Sequence, residues 1–186
     1  MKSLIIAVAM SAVTSAAHAQ TPITHCQTIT KAGNYAWPHF LKTPAAHTGA
    51  CIDITVPGVS LYAPAPSEIL CNGNDTALRI EANVGGYISA ADTAVLLKHC
   101  RNGIVVLPQD TAPDALSLNF NFSAGLFIQG GPSCAHGILI TDMHNVILSA
   151  GLPPNGGGIA GSCPNGSLIQ IGADDWTIFS GVIEGD

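Results

Sequence analysis

Asp174 and Asp175 stand side by side near the C-terminal end of the sequence, and Asp142-x-His144 lies about thirty residues before them. Clustered carboxylates of this kind hold a divalent cation through oxygen, or act as an acid and base pair on a sugar bond. An Asp-x-His step also offers two ligands to a metal. The plainer alternative is that each Asp sits in a turn and bonds its own backbone. Cys26, Cys51, Cys71, Cys100, Cys134 and Cys163 are the other chemically distinctive residues. None forms a Cys-x-x-Cys pair, so neither a zinc site nor a thioredoxin-type redox centre is expected. An even number in an exported chain reads as disulfides, with fifteen pairings open.

Export is read from residues 1–19. Lys2 supplies a positive start, Leu4 to Met10 an apolar run, and Ala17-His18-Ala19 a small-x-small cleavage step. That pattern is a secretory signal peptide, too short and too soon followed by Ser and Thr for a membrane span. No later segment is long and apolar enough to cross a bilayer. Residues 20–186 then form a single domain, and the expected location is secreted or periplasmic. The chain holds 6 basic and 12 acidic residues; losing Lys2 leaves five against 12, a net of −7. Nucleic acid is an unfavourable partner, because phosphate binding needs clustered Lys and Arg.

Only 10% of residues are charged, while Gly and Pro are plentiful. Helical proteins cover their exposed faces with Glu, Lys, Arg and Gln, so the balance favours β-structure with many turns. An imperfect repeat sharpens this. Residues 51–63 alternate Ile52 and Ile54, turn at Pro57-Gly58, then alternate Val59 and Leu61. Residues 137–151 repeat the pattern with Ile138 and Ile140, a polar turn, then Val146 and Leu148. Residues 166–185 do so with Ile169 and Ile171, a turn, then Trp176 and Ile178. Stacked as coils, such units pair each strand with its equivalent one repeat away, and the inward aliphatics form one column. A Greek-key β-sandwich is the competing architecture. One stretch is ambiguous: Ser89 and Asp92 have capping-box spacing before Ala94, Val95 and Leu97, which predicts a helical turn, whereas Val95-Leu96-Leu97 also reads as a buried strand.

Coil stacking favours one cysteine pairing. The intervals Cys26 to Cys51 (25 residues), Cys71 to Cys100 (29) and Cys134 to Cys163 (29) are each about one repeat. Residues one coil apart lie about 4.8 Å apart, within reach of a disulfide.

The sequence resembles the right-handed parallel β-helix proteins of the pectin lyase-like group. Residues 23–35 (ITHCQTITKAGNY) resemble the first strand and turn of that group, residues 51–61 (CIDITVPGVSL) its first full coil, and residues 174–185 (DDWTIFSGVIEG) a later coil. The likeness covers most of residues 20–186 and concerns fold more than activity. It departs after Leu61, where Tyr62-Ala63-Pro64-Ala65-Pro66 replaces an Asp-Leu-x-Gly turn, so this coil is expected to leave its sheet early. The chain reads as a short member of the group or as the N-terminal part of a longer one.

The resemblance implies two functions. One is a non-catalytic extracellular module binding a glycan or cell surface. The other is a polysaccharide lyase or glycoside hydrolase, in which Ca²⁺ held by residues such as Asp142 and Asp175 would assist an Arg base, with Asp142, Asp174 and Asp175 as the catalytic candidates and His144 beside them. Arg79 and Arg101 are the arginines on offer, and their spacing supports neither as that base. Tyr35, Trp37 and Phe40 are aromatics for stacking on sugar rings, or for capping the open end of the solenoid. An uncovered last coil is a free strand edge, which predicts self-association.

Overall fold

Alternation of aliphatic and polar residues builds the chain from short strands, each with one side inward. A computed structural model of the chain describes residues 20–37, 39–63, 66–81, 87–90, 94–107, 117–122, 125–150, 158–181 and 183–185. The expected leader, residues 1–19, lies outside them. After β1 (Thr21–Pro22), strands come in groups of three: β2 (Gln27–Ile29), β3 (Gly33–Ala36) and β4 (Phe40–Lys42), then β5 (Ala50–Ile54), β6 (Val59–Tyr62) and β7 (Ser67–Leu70). The next groups are β8 (Thr76–Ile80), β9 (Tyr87–Ala90) and β10 (Val95–Lys98), then β11 (Asn102–Val106), β12 (Ser117–Phe122) and β13 (Leu126–Gln129). Two longer strands follow, each with a short companion: β14 (His136–Ala150) with β15 (Ile159–Ser162), and β16 (Ser167–Gly181) with β17 (Ile183–Gly185).

Every strand pairs in parallel with its equivalent one group away. The result is a parallel β-solenoid, all-β among the described residues. A Greek-key sandwich needs antiparallel neighbours and is thereby excluded. One face runs β2-β5-β8-β11 into the first half of β14, and a second runs β1-β3-β6-β9-β12 into its second half. Because β14 passes the corner between them unbroken, the two faces join into an 11-stranded sheet. The third face is a six-stranded sheet in the order β17-β15-β13-β10-β7-β4.

The core is the column foreseen from the repeat. Ile52, Leu78, Ile104, Ile138 and Ile169 stand in register, as do Ile29, Ile54, Ile80, Val106, Ile140 and Ile171. Leu41, Ile69, Leu97 and Ile128 close it from the third face. All three disulfides form as the coil spacing favours: Cys26–Cys51, Cys71–Cys100 and Cys134–Cys163. Such bonds belong to an oxidising compartment. No helix among the described residues is long and apolar enough to cross a membrane.

Two expectations need correction. Residues 95–98 form β10, with Val95 and Leu97 buried and Leu96 and Lys98 half-buried, so the period-two pattern prevails over the capping-box spacing. Ser89 lies in β9, and Asp92 lies outside the described residues. The second correction concerns register in the two long strands. Aligning Val146 with Trp176 and Leu148 with Ile178 is off by one: the ladder pairs Val146 with Thr177, Leu148 with Phe179 and Ile147 with Ile178. Five residues separate Ile140 from Val146 and only four separate Ile171 from Trp176, whereas the ladder has the same offset on both sides of the irregularity at Met143, so matching the strands by their apolar residues slips by one. β6 ends at Tyr62, four residues long like β3 and β9 beside it, and β7 begins at Ser67 on the third face.

Candidate functional site

The acidic residues singled out in the sequence lie on β14 and β16 where the first face turns into the second. Ile140 pairs with Ile171, Met143 with Ala173 and Asn145 with Trp176, with register shifts on both sides of Met143. The backbone of Asp142 therefore lies opposite Gly172, and that of His144 opposite Asp174 and Asp175. The segment is a bulged ladder, not the pair of stacked turns expected, because the long strands keep pairing through the corner. Bulges concentrate where a strand re-aims its side chains.

Arg79 is not available as a base for chemistry at that corner. It sits on β8, in register with Asp53 on β5 and Val105 on β11, whereas Asp142 is on β14, a further strand beyond β11. Its guanidinium forks onto Asp53: Nε donates to Oδ1 at 3.0 Å and Nη2 to Oδ2 at 2.8 Å, with Glu81 Oε1 also 3.0 Å from Nε. The hydrogen bonds to Asp53 raise the Arg79 pKa above its already high value, against the opposing effect of burial. Arg79 stays cationic at any physiological pH and ties two coils together. The register Asp53↔Arg79, which no short motif encodes, is what makes the pair.

A different surface has the character of a binding site. In the six-stranded sheet, inward residues alternate with outward ones, and the outward ones form two rows. Phe40, Glu68, Leu96, Phe127 and Ala160 are in register across five strands, and the backbone of Glu184 pairs with Ala160 on the sixth. Lys42, Leu70, Lys98, Gln129 and Ser162 form the row beside it. Phe40 and Phe127 are 53% and 39% exposed on this face, and three strand steps place them about 14 Å apart. A shallow depression of roughly 370 Å³ adjoins Phe127, lined by Leu96, Gln129, Ala160, Gly161 and Ser162. Gly161, at φ +149°, borders it; a Cβ there would collide with the Ile128 carbonyl of the neighbouring strand. Lys98 Nζ donates to Glu68 Oε2 at 3.2 Å, so this face carries a neutralised pair between the two rings. Flat exposed aromatics bordered by amides and hydroxyls can stack a sugar ring and bond its hydroxyls at the rim.

Of the three aromatics named from the sequence, Phe40 is the one exposed on this sheet. Trp37 is buried in the core, and Tyr35 packs against it while its hydroxyl donates to the Lys31 carbonyl at 2.9 Å. Phe127 was missed. Its signal is the outward slot in Leu126-Phe127-Ile128-Gln129, a strand whose alternate positions are buried and exposed. A phenylalanine in that slot leaves an aromatic ring exposed on the sheet.

No family model, curated protein or solved structure matches this chain. The class rests on the ladder alone: a disulfide-stapled parallel β-solenoid presenting one flat aromatic-bearing sheet.

Proposed function

We propose that the chain is a non-catalytic, extracellular glycan- or surface-binding module, exported to the cell exterior or the periplasm, and a short β-helix of the pectin lyase-like kind. The observation that carries this reading is the outward row that puts Phe40 and Phe127 on one side of the six-stranded sheet. A net of −7 after leader removal disfavours densely anionic polymers such as pectate, so neutral or sparsely charged chains are the better ligands. Bidentate capture of Arg79 by Asp53 argues against the lyase alternative.

Affinity electrophoresis through a panel of neutral and acidic polysaccharides tests the proposal. Stacking a sugar on the exposed part of Phe127 removes apolar area worth about 2 kcal/mol. Phe127→Ala is therefore expected to weaken binding ~10- to 30-fold, with an unchanged circular dichroism spectrum. Equal retardation of wild type, Phe127→Ala and Phe40→Ala would remove this face as the binding surface. Unsaturated products or new reducing ends in the same incubations would replace the module by the enzyme.

Residues 20–186 produced on their own are expected to self-associate through β16. Ile138 and Ile140 on β14 are fully buried, while their register partners Ile169 and Ile171 on β16 are only partly so, and β16 is hydrogen-bonded to β14 on one side. A long strand edge beside half-covered aliphatics pairs with another copy. Sedimentation velocity is expected to show a mass that rises with concentration; a single monomeric species at high concentration would refute this.

A further inference from the structure

The turn that follows β4 is held against the turn that follows β7, and a depression of roughly 490 Å³ lies between residues 42–45 and 70–72. It is larger than the one beside Phe127 and sits toward the opposite end of the same six-stranded sheet. Its walls are fixed before any ligand arrives. Thr43 N–H donates to the Leu70 carbonyl at 3.0 Å, and Cys71 N–H to the Lys98 carbonyl at 2.9 Å. Asn72 Nδ2 donates to the carbonyls of Pro44, Ala45 and His47 at 3.1, 3.3 and 2.8 Å, while its Oδ1 accepts from the Asn74 N–H at 2.9 Å. Cys71–Cys100 ties the corner to the next coil. A pocket preformed in this way loses little entropy when it is filled.

The groups left free in this depression are few and of two kinds. Pro44 and Ala45 are exposed and Leu70 is half-buried, so much of the lining is apolar. Asn72 has no hydrogen-bonding capacity to spare. Thr43 is 2% exposed, and its hydroxyl has no hydrogen-bond partner among the described residues. A buried hydroxyl left unpaired is destabilising, so an acceptor brought to it is bound with advantage. Lys42 is exposed beside it, with no carboxylate within ion-pair distance among the described residues. Glu68 on the neighbouring strand is taken by Lys98 at 3.2 Å. One ammonium and one hydroxyl beside an apolar wall match a carboxylate carried on an apolar body. A polyhydroxylated acid fits poorly, because its ring hydroxyls would lose water against Pro44, Ala45 and Leu70 with no polar group in exchange. A dianionic phosphate would call for more than one cation.

We infer that this depression is a binding site for small monocarboxylic acids with an apolar body, of which benzoate is a simple aromatic case. Lys42 and Thr43 receive the carboxylate, and the ring lies against Leu70 and Pro44. The site is separate from the row that carries Phe127 and does not depend on the glycan-binding reading.

The test uses the full chain after leader removal, titrated by heteronuclear NMR with benzoate, benzyl alcohol, acetate, glucuronate and inorganic phosphate. Expected are benzoate shifts centred on residues 42–45 and 70–72. Benzyl alcohol, which lacks the charge, and acetate, which lacks the ring, should each bind at least about tenfold more weakly. Lys42→Gln should weaken benzoate by about tenfold and, at an exposed position, keep the wild-type spectrum elsewhere. Thr43→Val retains the side-chain volume and the backbone bond to Leu70; it should weaken benzoate about threefold or more without lowering the melting temperature. Phe127→Ala should leave benzoate binding intact, so this site and the glycan face fail separately. No benzoate binding, acetate, glucuronate or phosphate binding as tightly as benzoate, or wild-type affinity in Lys42→Gln would each overturn the assignment.

Discussion

Opening all three disulfides under native conditions is expected to unfold the domain at 25 °C. The three closed loops, 26–51, 71–100 and 134–163, do not overlap, so each restricts a separate part of the unfolded chain. In the chain-entropy picture a loop of this length contributes about 3.5 kcal/mol, or about 10 kcal/mol for the three. That equals or exceeds the whole stability of many domains, about 5–15 kcal/mol. The bonds are also placed where loss is felt. Cys26–Cys51 ties the first coil to the second, Cys71–Cys100 fastens the coils that carry β7 and β10, and Cys134–Cys163 those that carry β13 and β15. A solenoid coil contacts only its neighbours, so no distant contact substitutes. Far-UV circular dichroism in a phosphine reductant, with thiol titration to confirm six free cysteines, measures this. A fully reduced chain that keeps its β-sheet spectrum and its melting temperature would show that the ladder alone sustains the fold.

What could be read from the sequence followed from periodicity. Ile52, Ile138 and Ile169 share a column because aliphatics recur at period two inside a longer repeat, and the cysteine intervals match that repeat. What was lost depended on register between distant strands. Asp53 and Arg79 are 26 residues apart and pair only because β5 and β8 align as they do. The Val146 alignment slipped by one because the apolar Trp176 drew the match, whereas the ladder keeps its offset and pairs Val146 with the polar Thr177. Phe127 was legible in principle, as an aromatic in an outward slot, but its row with Phe40 exists only after four strands are stacked. The depression beside Lys42 went unseen, because residues 42–45 and 70–72 meet only once β4 and β7 are paired.

Ile104→Ala should cost about 3–4 kcal/mol and lower the melting temperature by roughly 10 °C. Ile104 is 2% exposed on β11, between Leu78 and Ile138 in the central column, and the core around it is built of branched aliphatics that cannot collapse far without breaking the ladder. The position in the stack makes the effect larger than its own contacts. Coupling in a solenoid passes from coil to coil, so a cavity in the middle weakens the cooperation between the halves, and the unfolding transition is expected to broaden as well as shift. Two controls give the column its meaning. Gln170→Ala, on the outward side of β16, should change stability by less than about 0.5 kcal/mol. Ile169→Ala, two places along the same column but only partly buried, should cost about 1 kcal/mol, since less of its side chain leaves water on folding. The ordering Ile104, Ile169, Gln170 follows from a single continuous core in which Ile104 is fully buried and Ile169 only partly so. Equal costs at Ile104 and Ile169 would mean that the last coil is covered in solution, which the sedimentation experiment would then show as a second copy. Equal costs at Ile104 and Gln170 would mean that the column does not carry the fold.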